Sequence, residues 1–373
     1  MVINMLRICI IYGGNSVEHE ISIISANSIL NNLDQKKYKI IGIYITKNGS
    51  FREARISKSG LSHKFVATGK KIIFSIGEKN SVIVKDKGQI DRKLNVDVFF
   101  PIVHGTGGED GSIQGLLKLL DKPFVGSDIT SSAICIDKVI TKRIFQNLSI
   151  RTTSFVEITS PSWQTKRKEI VRTIVLKIKL PCFIKAANLG SSVGVYKVKS
   201  KKDLISKIGK AFNYSEKVIA EEAVINPNEI EVSILGNEKL KVSKPGLVIP
   251  SSEFYDYNAK YIDGKSKLEI PWKKINNDRK LSNEIKNNSI LAYEKIGCEG
   301  MARIDFLYGK TKNLQSNRLY ASEINTIPGF TPISMYPKLL EEIGLNYKKL
   351  LNELITLALQ RYKREKKLKT KFL

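Results

Sequence analysis

Apolar residues recur along this chain with two periods, and the switches between them mark out its elements. From Arg7 to Tyr12 the residues are mostly apolar and rich in isoleucine with little alternation, the pattern of a strand buried on both faces of a parallel sheet. Gly13-Gly14 ends it. Between Ser22 and Leu33, apolar residues return at helical spacing (Ile23, Ile24, Ile29, Leu30, Leu33). Ile40 to Ile45 predicts the next strand, so the chain opens as a βαβ unit. A polar, Lys/Gly-rich stretch over 57–93 carries no predicted element. Val96 to Val103 forms another apolar strand, followed by a glycine-rich loop, a helix from Ile113 to Leu120 and a domain boundary near Ser127.

Further on, the spacing predicts one helix from Ser131 to Leu148, a strand from Phe155 to Ile158, a Pro/Ser turn at 160–162 and a basic helix over 165–179. Strand Cys182 to Lys185 leads through the small-residue loop Ala187 to Gly194 into strand Val195 to Val198. The remainder alternates strands (230–235, 300–307, 319–324) with a long loop at 250–270 and helices at 280–296 and 346–364. The fold class is α/β and α+β, and the length of 373 residues suits several compact units.

Composition narrows the class. With 42% hydrophobic and 26% charged residues, the chain reads as a folded protein rather than a disordered one. The apolar start is interrupted by Arg7, is far short of a membrane span and lacks a small-residue cleavage site, so a cytoplasmic protein without membrane association is expected. Cys9, Cys135, Cys182 and Cys298 are widely spaced among apolar residues and have no paired histidine, which argues for buried free thiols. The net charge of +26 raises the question of nucleic acid, but it is diffuse and there is no stacked-aromatic or helix-turn-helix motif, so no nucleic-acid partner is expected. The basic run from Arg361 onward reads as a frayed, solvated helix end.

Candidate chemistry is concentrated in four places. Gly264-Lys265-Ser266 imitates the end of a Walker loop, but position 259 is Ala and no strand precedes it. Lys185 followed by Gly190, Ser191, Ser192, Val193 and Gly194 instead places a lysine at a strand end before small residues whose N–H groups can approach an anion; taken alone, it equally suits a tight hairpin. In strands, residues two apart share a face, so Arg303 pairs with Asp305 and Glu323 with Asn325. If these strands form a hairpin, a fixed cation and three oxygen-bearing groups suited to Mg²⁺ converge on one face. His104 and Glu18 lie just beyond apolar strands, where open α/β sheets bind ligands, although either also suits a loop cap.

Together these residues resemble the D-alanine–D-alanine ligases, a family of ATP-grasp enzymes. The likeness spans nearly the whole chain in order: GGNSVEHEIS from Gly13, HGTGGEDGSIQG from His104, Asp137-Lys138, KAANLGSSVG from Lys185, YDYNAKY from Tyr255, MARID from Met301 and EINTIPGFTPISMYP from Glu323. The resemblance implies a three-domain ATP-grasp architecture: an N-terminal Rossmann-like substrate domain (1–128), a central ATP-grasp domain (129–223) and a C-terminal domain with the catalytic and metal site (224–373). It also implies that Lys138, Lys185, Gly190, Ser192 and Val193 hold the ATP phosphates and that Glu221, Glu222, Val224 and Glu229 hold adenine and ribose. Asp305, Glu323 and Asn325 would bind two Mg²⁺ ions, or Mn²⁺ in their place. Glu18 would take the first D-alanine's ammonium beside His104, and Ser191 and Tyr261 would link to Glu18. Lys260, Ser334 and Met335 would hold the second substrate, and Arg303 and the Gly329 N–H would form an oxyanion hole. A homodimer is implied as well.

This assignment is consistent with the chemistry. A carboxylate is a poor acyl donor, so the first D-alanine attacks the γ-phosphate to give D-alanyl phosphate, and the second amine then displaces phosphate. The acyl phosphate needs shelter from water, for which the glycine-rich loop and the 250–265 loop are the candidate lids. A D-alanine–D-lactate ligase, or another ATP-grasp carboxylate–amine ligase, is the alternative within enzymes. The stretch between Asp305 and Glu323 is longer and more polar than the family leads one to expect, and Ala321 is smaller.

Overall fold

The computed structural model describes residues 5–78, 81–249 and 267–369. The chain begins as expected. Strand β1 (Leu6–Gly13), helix α1 (His19–Asn32) and strand β2 (Tyr38–Ile45) form a βαβ unit, and β1 runs parallel to β2.

The stretch expected to carry no element is corrected by the structure. Strands β3 (Phe51–Ser59), β4 (Ser62–Phe74), β5 (Val82–Asp86) and β6 (Gln89–Leu94) extend the sheet as an antiparallel ribbon. Only scattered residues such as Ala54, Phe65, Ile72, Val82 and Val84 are buried. A ribbon with one wet face needs few apolar residues, and Lys/Gly content masks them. Strand β7 (Val98–Pro101) completes the order β6-β5-β4-β3-β2-β1-β7 and lies parallel to β1.

Burial of β1 on both faces follows from its alternation. Ile8 and Ile10 join one cluster with Ile29 and Leu30, and Cys9 and Ile11 join another with Ile113 and Leu117 of helix α2 (Ser112–Leu119).

The single helix expected from Ser131 to Leu148 is two helices, α3 (Ile129–Ile136) and α4 (Lys138–Asn147). Asp137 adopts an extended backbone between them. Its carboxylate caps α4 by accepting from the N–H groups of Val139 and Ile140 at 3.0 and 3.1 Å. The expected Pro/Ser turn is likewise a helix start. After strand β8 (Phe155–Thr159), helix α5 (Ser160–Thr173) opens with a capping box between Thr159 and Ser162 and with a proline in its first turn. Strands β9 (Cys182–Ala186) and β10 (Val195–Val198), helix α6 (Lys201–Ala211) and strand β11 (Lys217–Glu222) complete a four-stranded antiparallel sheet of order β10-β9-β11-β8.

A third sheet follows, with β12 (Ile225–Gly236), β13 (Lys241–Val242), β14 (Gly246–Ile249), β15 (Lys267–Glu269), β16 (Gly300–Lys310) and β17 (Arg318–Asn325). Helix α7 (Arg279–Ile296) covers its apolar face. Strand β15 lies within the long loop expected at 250–270.

Helices α8 (Met335–Glu341) and α9 (Tyr347–Glu365) close the chain. Leu350, Leu351, Leu354 and Ile355 of α9 share one apolar cluster with Ile8, Ile10 and Phe100, and the helix lies against β7 and α1, so it caps the first unit. From Lys363 to Lys369 the basic end of this helix is mostly exposed, as expected, but the first residue of the basic run is not. Arg361 is buried, donates to the carbonyls of Gly126 and Phe124 and lies over the Phe124 ring at 4.3 Å. Tyr362 donates to the Asp121 carbonyl at 2.9 Å. Replacing Arg361 with Met would leave two buried carbonyls without donors. Chemical denaturation should show a loss of roughly 2–4 kcal/mol, and a loss within error would mean that α9 is held by its leucines alone.

Candidate active site

The third sheet places the chemistry by strand register. Strands β16 and β17 pair antiparallel with Arg303 opposite Asn325 and Asp305 opposite Glu323, the hairpin posited from sequence. Strand β12 lies on the other side of β16, with Glu231 opposite Asp305 and Ser233 opposite Arg303. Alternate residues therefore form one polar face, while Val232, Ile234, Ile304, Phe306 and Ile324 turn into the core. Arg303 donates through Nε and Nη2 to the two oxygens of Asp305, each at 2.7 Å, and its Nε lies 2.9 Å from Glu231 Oε2. Asn325 donates to Asp305 at 3.0 Å.

A bulge follows at once. Asp305 faces Glu323, but Phe306 faces Ala321, leaving Ser322 as the extra residue. The N–H of Ala321 donates to the Arg151 carbonyl at 2.8 Å and its carbonyl accepts from Thr152 at 2.9 Å, so this small residue sits under the 151–152 segment.

The donor set of Asp305, Glu323 and Asn325 fits a hard cation, because Mg²⁺ takes oxygen ligands and few of them from protein. Among the described residues, no three acidic, histidine or cysteine side chains cluster closely enough to hold a metal by themselves. Two carboxylates and an amide, with positions left to phosphate or water, satisfy the requirement.

Facing this sheet is Lys138, aimed by the helix break at Asp137. Its backbone N–H donates to the Ala187 carbonyl at 3.1 Å, and its ammonium donates to the Leu189 carbonyl at 2.5 Å and lies 3.4 Å from Glu323 Oε2. One small cavity is lined by Lys138, Glu323, Asn325 and Gly190 together with Glu109 and Cys135. A more open groove lies at the opposite ends of β1 and β2, around Arg7 and Tyr38, and holds none of the expected site residues.

The glycine-rich loop connects this cavity to the first sheet. Ser191 and Ser192 both take left-handed backbone, with φ of 50° and 58°, a conformation that non-glycine residues adopt at a cost. The Ser191 hydroxyl donates to the Glu18 carboxylate, which is buried at the carboxyl end of β1. Gly105 shapes the same spot. Its φ is 71°, and a Cβ there would fall 2.5 Å from Glu18 Oε2. His104 spans two units: Nδ1 lies 3.2 Å from the Ile327 carbonyl and Nε2 lies 3.1 Å from the Ser25 hydroxyl. A carbonyl only accepts, so in the neutral ring Nδ1 carries the proton and Ser25 donates to Nε2. Glu109 Oε1 is 3.9 Å from His104 Nδ1.

On the second sheet, Lys185 and Glu221 share a face of neighbouring strands, since Lys185 stands opposite Ile219. Lys185 Nζ lies 2.6 Å from Glu221 Oε2, and Lys142 Nζ lies 2.5 Å from Oε1. Burial alone would raise the Glu221 carboxyl, but the two ammoniums outweigh it and hold the group well below the usual carboxylate range. Burial lowers the pKa of Lys142, and Glu221 opposes that shift. At Lys185 burial acts in the same direction, but the Glu221 charge prevails and the ammonium is held above its ordinary value.

Other expected residues are placed less directly. Glu222 accepts from the Asn313 N–H at 3.2 Å, so the long hairpin tip between β16 and β17 docks on the second sheet. Val224 is buried, and Glu229 is half-buried on β12 opposite Val248 and Leu307. The Ser334 hydroxyl accepts from the Thr331 N–H at 3.0 Å and fills the space beside Gly329, where a Cβ would fall 2.6 Å from it. The Met335 side chain turns into an apolar cluster with Val248 and Leu339, leaving its backbone as the part that can meet a ligand. Lys260 and Tyr261, with the loop that carries them, lie outside the described residues. The four cysteines are free and buried, and burial pushes the Cys182 thiol up to about 12.

The motif reading of the site missed Glu231, Glu109 and Lys142. The alternation of Glu229, Glu231 and Ser233 signalled the first. Lys142, three residues from Val139 and from Phe145 on a buried helix face, signalled the last.

Two sheets that face each other across a glycine-rich loop, one presenting lysines and the other acids beside an arginine, define an enzyme of the ATP-grasp class. The family profile described as D-ala D-ala ligase N-terminus matches residues 7–127, and that for the C-terminus matches residues 144–356. The chain belongs to the D-alanine–D-alanine ligase family. It is 41% identical to the D-alanine–D-alanine ligase of Caldicellulosiruptor bescii, over 98% of each chain. Among solved structures, it resembles the D-alanine–D-alanine ligase of Coxiella burnetii, with 31% identity, a TM-score of 0.78 and 97% of both chains covered. It also resembles the VanG D-Ala:D-Ser ligase of Enterococcus faecalis, with 30% identity, a TM-score of 0.79 and coverage of 95% of this chain and 100% of that one.

Proposed function

We propose that the cleft between the second and third sheets joins two D-alanine molecules at the expense of ATP, through a D-alanyl phosphate, to give D-alanyl-D-alanine for peptidoglycan. The observation that carries this reading is the polar face of β16 and β17, with Glu323 3.4 Å from the Lys138 ammonium. Phosphoryl transfer to a carboxylate needs cations on the phosphates and a fixed cation at the carbonyl, and these residues supply both.

The roles divide as follows. Glu18, positioned by Ser191 and flanked by His104, holds the first D-alanine's ammonium, and Tyr261 joins that link when the site closes. Lys138, Lys185 and the Gly190, Ser192 and Val193 backbone receive the phosphates, while Glu221, Glu222, Val224 and Glu229 receive adenine and ribose. Asp305, Glu323 and Asn325 would hold two Mg²⁺ ions, whose bound charge neutralises the phosphoryl oxygens. Arg303 and the Gly329 N–H face the developing oxyanion. Lys260, Ser334 and the Met335 backbone hold the second substrate. Three domains, 1–128, 129–223 and 224–373, a homodimer and a cytoplasmic setting complete the proposal. No helix among the described residues is long and apolar enough to cross a membrane.

The second substrate is an amino acid rather than a hydroxy acid in this reading. The histidines are His19, His63 and His104, so none lies in the 250–265 stretch to repel an incoming ammonium, and that stretch offers a phenol at Tyr261 instead. Incubation with ATP, Mg²⁺ and equal D-alanine and D-lactate, with products resolved by mass, should give mainly dipeptide near neutral pH with one phosphate released per bond. A mainly ester product would reverse the substrate assignment, and no phosphate-coupled product of either kind would reject the reaction.

A further inference from the structure

We infer that Lys142 is a positioning residue for nucleotide binding: as the fixed counter-ion of Glu221, it leaves Lys185 available to an incoming phosphate. The inference rests on the reading above that Lys185 meets the ATP phosphates.

The hydrogen bonds around Lys142 leave no freedom in where the protons lie. Its Nζ is 2.5 Å from Glu221 Oε1, 2.7 Å from Thr152 Oγ1 and 3.0 Å from Thr153 Oγ1. Thr152 gives its own proton to the Ala321 carbonyl at 2.9 Å. Thr153 gives its proton to Glu221, which as a carboxylate only accepts. Both hydroxyls therefore accept from Lys142, which uses all three protons of an ammonium. Its side chain is 1% exposed and cannot turn to a ligand. Lys185, by contrast, is 17% exposed and reaches Glu221 from the other side at 2.6 Å.

Around Glu221 two ammoniums meet one carboxylate, and the charge in excess of that pair lies on Lys185, the more exposed of the two, which also feels the charges of Glu323 and Glu229. Without Lys142, Glu221 and Lys185 would form a neutral, closed pair in a desolvated setting, and a phosphate would have to break it. In the absence of Lys142, Glu221 would still be held by Lys185 at 2.6 Å and keep its place beside the base, while the phosphates would lose their free cation. The lost affinity should therefore depend on the phosphates.

The test compares binding of ATP and adenosine to the full-length protein by calorimetric titration. In Lys142→Met, ATP should bind on the order of tenfold more weakly while adenosine stays within about twofold. Equal weakening of both ligands, or of neither, would overturn the inference and leave Lys142 a structural residue. If thermal melting shows that this variant does not fold, Thr153→Val decides. It removes one acceptor from Lys142 and one donor from Glu221 without changing charge, and should weaken ATP by about threefold with adenosine unaffected; uniform loss or no loss would overturn the inference. Lys185→Met separates the two readings. If it weakens ATP selectively while the Lys142 variant does not, this inference alone fails. If it does not weaken ATP, the phosphate role of Lys185 fails, and this inference with it.

Discussion

Glu323→Gln should lower kcat for dipeptide synthesis by roughly 10³-fold while leaving the thermal midpoint within about 2 °C. The exchange preserves shape and removes one negative charge. Glu323 stands opposite Asp305 on the paired strands and 3.4 Å from the Lys138 ammonium, so in the proposed site it holds cations on both sides. A neutral amide can still accept a hydrogen bond, but it cannot balance those charges, and the Mg²⁺ concentration for half-maximal activity should rise with the loss of rate. The fold should tolerate the change because Glu323 lies on the polar face, whereas its neighbour Ile324 is the buried member of the strand. Activity within a few-fold of the parent, at unchanged Mg²⁺ dependence, would remove Glu323 from the metal site.

Arg303→Lys should cost about 10² in kcat with the KM for ATP changed by less than about threefold. The guanidinium spans Asp305 with two bonds at 2.7 Å and reaches Glu231 as well, an arrangement that a single ammonium cannot reproduce. Charge is conserved, so the ground-state attraction for phosphate should largely survive. The loss is expected in the transition state, where in the proposed site a planar group fixed against two carboxylates would face the oxyanion. A rise in KM with kcat preserved would instead make Arg303 a ground-state nucleotide contact. Both variants can be followed by coupled release of ADP and phosphate, with melting curves as the control for folding.

How far the sequence reached differs between the two kinds of element. Strands buried on both faces, such as β1 and β7, and the long helices α7 and α9 were legible because their apolar residues are dense and periodic. The ribbon from β3 to β6 was not, since one wet face leaves too few apolar positions to register against the surrounding Lys and Gly. Asp137 broke a helix whose apolar period runs straight through it. Periodicity sees the buried face but not the cap, although Asp137 ahead of Lys138 and Val139 is a cap signal in its own right.

The collinear run of motifs pointed to the class of chemistry through the family it resembles, while a lysine before a small-residue loop and two alternating polar pairs on strands were each open to a plainer reading. The period of two decides which side chains share a face, wherever the strand lies. Tertiary structure decided which faces meet. The pairing of β16 with β17 turns two separate dipeptide patterns into one site, and the bulge at Ser322 sends the Ala321 backbone to the 151–152 segment. Glu231 enters only because β12 is the other neighbour of β16, and Lys142 only because α4 packs its buried face toward Glu221. The docking of α9 on the first sheet, through Arg361 and four apolar residues, joins residues 350–361 to the strands of the N-terminal unit. The reason is the same in each case: local pattern determines what a segment presents, while the partner that buries it is chosen by contacts made over long sequence separations.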